Sequence, residues 1–115
     1  MQTRRGDVVR VLFPNSNLQT AKRHPALVIQ ADQLGTGLPQ TIVAMITSNL
    51  ARAGHPSRIS ISVSSPAGIA AGLRTDSIIM TDNLATVADS EIDSVLGSLP
   101  DMSAMEAALR TTFGL

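Results

Sequence analysis

From Arg58 to Ser64 the chain alternates without a break, with Arg58, Ser60, Ser62 and Ser64 on one side and Ile59, Ile61 and Val63 on the other. A period of two is the mark of a strand with one face buried and one wet. It predicts an antiparallel strand and rules out a helix over the same residues. The other apolar runs are just as short. Gly6 to Phe13 reads as a first strand, ended by the turn residues Pro14-Asn15-Ser16-Asn17. Pro25 to Ala31 reads as a second and Thr41 to Ile46 as a third, the latter apolar enough to be buried on both faces. Ser77 to Thr81 is a fifth, with Leu84 to Val87 extending it after a kink, and Pro66, Gly68 and Gly72 mark a turn-rich connection before it.

Near the end the pattern changes. Asp89 to Asp93 suits a helical turn before Val95 and Leu96. Asp101 or Ser103 then caps a helix, Ser103 forming a capping box with Glu106. Met102, Met105, Leu109 and Phe113 make an apolar stripe suited to core or dimer packing. Short strands punctuated every 8–12 residues and closed by one helix predict a mainly β fold with a C-terminal α-helix, a small β-barrel. At 115 residues the chain is expected to form a single domain, residues 1–115.

Composition removes several kinds of chemistry. With no cysteine there is no disulfide, thiolate nucleophile or zinc–cysteine centre, and two histidines do not suggest a structural metal site. No cofactor motif is present, no run reaches the ~20 apolar residues of a membrane span, and no apolar segment follows Arg4 and Arg5 as in a secretory signal. The chain is therefore expected to be cytoplasmic, away from membranes. Arg5-Gly6-Asp7 reads as a turn entering the first strand rather than an integrin motif. Absence of Trp and Tyr, with only Phe13 and Phe113, leaves no aromatic platform on which bases could stack. Net charge is zero, but Arg4, Arg5, Arg10, Lys22 and Arg23 crowd the first quarter.

Lys22-Arg23-His24 runs straight into Pro25, whose ring biases His24 towards extended geometry and suits the first residue of a strand. Two readings of this cluster stand: a solvated turn before a core strand, or a cationic surface at a strand mouth that meets an anion. Thr47-Ser48-Asn49 ends the third strand with three hydrogen-bonding side chains in a row. His55, in a glycine–proline loop, reads as plain surface.

Taken in order, Arg5-Gly6-Asp7-Val8, His24-Pro25-Ala26-Leu27-Val28-Ile29, Ile46-Thr47-Ser48-Asn49, Asp76-Ser77-Ile78-Ile79 and Asp82-Asn83-Leu84-Ala85-Thr86 resemble the MazF/PemK (Kid) family of toxins from bacterial type II toxin–antitoxin pairs, over nearly the whole chain. The resemblance implies an SH3-like barrel of the MazF/PemK/CcdB type, a homodimer, a cognate antitoxin protein as partner, and metal-independent, sequence-specific cleavage of single-stranded RNA or mRNA through 2′-OH attack. It places the catalytic threonine on Thr47 and a site carboxylate on Asp82, and it matches a mobile RNA-covering loop to Asn15 through Ala21, with Asn15 and Asn17 as contacts. Lys22, Arg23, Ser48 and Asn49 are the further candidates for RNA binding.

The family's usual arginine before the strand proline is replaced here by His24, and the arginine of the Kid branch two residues before its aspartate is Met80. Neighbouring side chains of an extended chain point to opposite faces, so Arg23 cannot stand in at position 24. His24 is then the group expected to meet the RNA with Thr47. Histidine exchanges a proton near pH ~6.5, whereas arginine holds a fixed charge and a bidentate fork. The expected enzyme is weakened or pH-sensitive rather than dead. Alternatives are a catalytically silent family member and a protein-binding toxin similar to the gyrase poisons, with Phe113-Gly114-Leu115 as its faint counterpart of their apolar tail.

Overall fold

A computed structural model describes residues 2–14 and 19–115. Asn15 and Asn17, and most of the loop they open, lie outside the described residues. Strands β1 (Asp7–Pro14), β2 (Ala21–Val28), β3 (Gln40–Thr47), β4 (Arg58–Ile61), β5 (Ser77–Ala88) and β6 (Ile92–Ser98) form one six-stranded sheet in the order β4-β5-β3-β2-β1-β6. Every pairing is antiparallel. Helix α1 (Pro66–Ala70) lies between β4 and β5, and α2 (Ser103–Phe113) closes the chain. β4 and β6 are the two edges, so the sheet curls without closing on itself.

Curling lets one sheet bury apolar side chains on both faces. Val8, Leu27, Ala44, Ile46, Ile61, Ile79 and Met105 form one cluster, which α2 covers, and Val9, Val11, Phe13, Ala26, Val28, Val43, Val87 and Ile92 form the other. Neighbours in sequence, such as Val8 and Val9 or Val43 and Ala44, go to opposite clusters, as the period of two requires. This is the two-faced burial expected for the third strand, and it extends to the first.

Several elements differ from expectation, each for a visible reason. The second strand starts at Ala21, not Pro25, because Lys22, Arg23 and His24 pair with Phe13, Leu12 and Val11 of β1. Pro25 therefore sits inside the strand. It has no N–H to donate, and the β2–β3 ladder begins only at Ala26. The fourth strand stops at Ile61 although the alternation runs to Ser64. Ser62 O accepts from the Ser65 N–H (3.1 Å) and Oγ (2.6 Å), and the Val63 N–H donates to Asp76 (2.8 Å). The backbone is thus spent on a turn. Ser65 caps α1 with Pro66 in its first turn, a start signal present in the sequence but read only as a loop. β6 was missed because its burial is patchy, with Val95 and Leu96 exposed.

β5 runs through its kink as one strand. One step along β3, Ala44 to Met45, spans Leu84 to Met80 on β5, an irregularity that bends the long strand. At that bend the buried Thr81 Oγ1 donates to Ser57 O (2.6 Å) and meets Thr112 Oγ1 of α2 at 2.8 Å. Thr112 therefore faces the sheet with Met105 and Ala108, and Phe113, one step further round, is left 58% exposed. The capping box does not form. Asp101 accepts from the Ser103 N–H (2.9 Å) and Oγ (2.7 Å), while Glu106 turns to Arg5 (3.2 Å). Arg5-Gly6-Asp7 is a locked strand entry, with Asp7 accepting from the Arg4 N–H and the Gly6 N–H bonded to Val28 O.

Gly72 couples α1 to β6. Its φ is +71° and an added Cβ would lie 2.2 Å from Leu96 O, so both conformation and space exclude a side chain. A non-glycine residue in the left-handed region costs about 1–2 kcal/mol before any collision is counted. Gly72→Ala is expected to lower the urea midpoint by at least that much stability; an unchanged midpoint would show that α1 and β6 are free to move apart.

Candidate functional site

Two strand ends make the site. β2 and β3 pair as Ala26↔Met45, Leu27↔Ala44 and Val28↔Val43. Continued towards the strand ends, that register sets His24 opposite Thr47 and Arg23 opposite Ser48. Facing positions share a face, so the imidazole and the Thr47 hydroxyl stand on one side of the sheet and Ser48 on the other. The hydrogen-bonded ladder has already stopped at Ala26 and Met45. The two strands are therefore unpaired at positions 24 and 47.

His24 is half-buried, and its ring meets the Phe13 ring edge-on with centroids 6.4 Å apart. Its pKa lies below the usual histidine value, chiefly because burial disfavours the charged form and secondly because of the Lys22 charge. Lys22, two residues along the same strand, lies on the same face. Thr47 Oγ1 accepts the Asn49 N–H (3.1 Å), which leaves its hydroxyl proton for another acceptor. Ile78 pairs with Thr47 across β3–β5 and is buried, an apolar flank to the pair.

The remaining candidates are placed elsewhere. Arg23 lies on the opposite face and pairs with Asp93 of β6 at 2.6 Å. Asn49 turns its Oδ1 to the Ala51 N–H (3.2 Å), capping the short 3-10 turn Leu50–Arg52. Asp82 is gripped by Arg58, Nη2 to Oδ2 at 2.8 Å and Nε to Oδ1 at 3.3 Å. Arg58's hydrogen bond holds the Asp82 carboxyl below its usual pKa, and Arg58 is raised in return. Asp82 thus forms an ion pair with Arg58 beside the β5 bend. His55 is more engaged than a plain surface residue: its Nδ1 accepts the Ser57 N–H (3.1 Å) and lies 2.7 Å from Ser57 Oγ.

Beside the strand ends is a cavity of about 240 Å³, lined by His24 but not by Thr47. Its walls include Arg10, Pro25, Ile46, Ser48, Arg74 and Ser77. Arg10 pairs with Pro25, and Ile46 and Ser48 are two apart on β3, so the sheet register accounts for their common face. His24 lines the same cavity while its ring is turned to Phe13. Arg10 and Arg74 line this cavity and were not among the candidates that sequence reading offered. Arg10 is the one charge in the run Val8–Phe13, a visible oddity whose meaning needed the β1–β2 register. Arg74 carries no sequence signal at all. Among the described residues no group of three or more His, Asp or Glu side chains is placed to hold a metal ion, and no helix is long and apolar enough to cross a membrane.

Comparison with known proteins agrees with this architecture. The family described as PemK-like, MazF-like toxin of type II toxin–antitoxin system matches residues 4–113. The endoribonuclease MazF2 of Mycobacterium bovis is 32% identical over 90 residues, covering 77% of this chain and 75% of that protein. The endoribonuclease MazF6 of Mycobacterium tuberculosis gives the same figures, 32% over 90 residues. Among solved structures, a mycobacterial endoribonuclease in complex with its cognate antitoxin superposes with TM-score 0.74 at 21% identity, covering 99% of this chain and 97% of that one. A MazE–MazF structure from Deinococcus radiodurans gives TM-score 0.70 at 16% identity, covering 100% and 98%. The fold, the order of its motifs and the extent of the match make this chain a member of the PemK/MazF-like family of type II toxin–antitoxin toxins.

Proposed function

We propose that this chain is an endoribonuclease toxin that cuts single-stranded RNA, mRNA included, at the open ends of β2 and β3. What supports the reading is the β2–β3 register, which, continued two residues past its last pair at Ala26 and Met45, sets His24 opposite Thr47. His24, held neutral at pH 7 by burial and by Lys22, takes the proton from a ribose 2′-OH. The 2′-oxygen bonds to the adjacent phosphorus and the bond from phosphorus to the 5′-oxygen breaks, that oxygen leaving with a proton from water. The products are a 2′,3′-cyclic phosphate and a 5′-hydroxyl. Thr47 donates to a non-bridging phosphate oxygen, and Lys22 supplies charge as a point cation where relatives use an arginine fork. No step calls for a metal ion, so cleavage is expected to continue in EDTA.

Partners follow from the same family reading: a cognate antitoxin, and a second copy of this chain. Ile69, Val95 and Leu96 stay exposed on α1 and β6, which pack directly on each other. We place the protein in the cytoplasm, where its RNA substrate is. Light scattering is expected to show a dimer at micromolar concentration, and a monomer would contradict the homodimer. Phe113 and Leu115, 58% and 84% exposed, favour a second reading as a protein-binding toxin acting through the end of α2. Inhibited gyrase supercoiling with RNA left intact would establish that reading instead.

Thr47→Ala removes a hydrogen bond to a charged group, worth about 1.5–3 kcal/mol, so kcat should fall about 10- to 150-fold. An unchanged kcat on a single-stranded oligoribonucleotide would remove Thr47 from the site. The pH profile has a definite sign. A base with a lowered pKa is half deprotonated below pH 6.5, so kcat/KM should rise with pH through a midpoint under that value and level off above it. Lys22→Gln removes a charge that depresses His24 and should move the midpoint up. Activity that falls as pH rises from 5.5 to 7 would contradict His24 as the base.

A further inference from the structure

A histidine that takes a proton at one ring nitrogen is ordinarily held by a hydrogen bond at the other, which fixes both its tautomer and its angle. His24 lacks that hold. Among the described residues neither of its nitrogens has a hydrogen bond or an ion pair. Its ring is met instead by the ring of Phe13, with centroids 6.4 Å apart and planes at 85°. That separation lies inside the ~4.5–7 Å range over which aromatic rings attract each other edge to face.

The strands build this contact. The β1–β2 register pairs Val11 with His24 and Phe13 with Lys22, which makes Phe13 and His24 diagonal neighbours on one face. Diagonal positions are within reach of an aromatic side chain. Phe13 itself is fixed: it is 1% exposed and belongs to the cluster that contains Val9, Val11, Ala26, Val43 and Ile92. His24 is half-buried and stands where β2 is no longer paired with β3. A ring locked in the core thus meets one that nothing else orients. The chain has no Tyr or Trp and only two Phe, and the other, Phe113, is exposed at the end of α2.

We propose that Phe13 is the positioning residue of His24, its ring setting the angle of the imidazole in place of the absent hydrogen bond. The part this plays in catalysis rests on the nuclease reading above; the contact itself does not. A general base has to come within ~2.6–3.2 Å of the oxygen whose proton it takes. A misplacement of about 1 Å costs about 10²-fold in rate. An imidazole free to turn about its Cβ–Cγ bond loses that distance. Held by its carbon frame against Phe13, it keeps both nitrogens unspent, and one of them is left to accept from the ribose 2′-OH.

The test compares wild type, Phe13→Leu and Phe13→Tyr as full chains carrying isotope-labelled histidine. The chain has two histidines, and the imidazole signal absent from His24→Gln is that of His24. In Phe13→Leu the His24 signal should lose its ring-current displacement, and its titration midpoint should rise, because a less buried imidazole accepts charge more readily. Lys22 on the same strand, and Arg10 and Arg74, which line the same cavity as His24, are unaltered in these variants and do not account for that rise. Phe13→Tyr keeps the ring and should keep both signatures. On a single-stranded oligoribonucleotide, Phe13→Leu should lower kcat about tenfold or more and leave KM within about twofold, while Phe13→Tyr retains kcat. A folded Phe13→Leu whose His24 signal, midpoint and kcat are all unchanged overturns the proposal, and so does a loss of kcat that Phe13→Tyr shares in full. Should Phe13→Leu fail to fold, nuclear Overhauser contacts between the two rings in wild type decide: their presence supports the assignment and their absence overturns it. Should wild type cut no RNA, the nuclease reading fails by itself, and the resonance measurements still decide whether Phe13 holds the imidazole.

Discussion

The site depends on a proline that cannot donate a hydrogen bond. Pro25 lies inside β2, paired to Arg10 on the β1 side, and the ladder to β3 begins only at the following residue. Had residue 25 carried an N–H, the β2–β3 ladder would have had a donor with which to continue towards Thr47. Instead the pairing of β2 with β3 stops short of the strand ends, where His24 and Thr47 lie. The same period of two then sorts everything nearby. Lys22 and His24 fall on one face with Thr47, while Arg23 and Pro25 fall on the other with Ser48.

Charge is sorted as strictly as geometry. The chain has no net charge to attract RNA at a distance, so what matters is which cations are left unmatched at short range. Asp93 occupies Arg23 and Asp82 occupies Arg58, both in surface pairs of the kind that add little to stability. Their effect is positional. They remove two arginines from the surface available to substrate and leave Lys22 beside His24, with Arg10 and Arg74 lining the cavity. Position 24 thus holds a titrating imidazole rather than a fixed charge, its pKa lowered first by burial and then by the Lys22 charge.

The sequence carried much of this arrangement and lost the rest for physical reasons. Alternation located Ile59 and Ile61 on the core side of β4, and the double burial of β3 was plain in its apolar run. The opposed directions of Arg23 and His24 followed from strand periodicity alone, with the Asp93 pair its structural counterpart. What failed were features set by distant partners. Strand β2 starts four residues early because β1 is there to pair with it, and β4 ends early because Asp76 and Ser65 claim its backbone. Phe113 leaves the helix stripe because Thr112 has a buried threonine to reach. Nothing local to Asp82 reveals that Arg58 lies across the strand to pair with it. Arg10 and Arg74 come together only through tertiary structure, from elements more than sixty residues apart.

A crystal structure of the protein with an oligoribonucleotide carrying one 2′-deoxyribose at the cut position would test the central claim most directly. The uncut link is expected to lie between β2 and β3, with a phosphate oxygen within hydrogen-bond distance of Thr47 Oγ1 and the sugar's 2′ carbon against the His24 ring. RNA bound on another face, with His24 and Thr47 left uncovered, would contradict it.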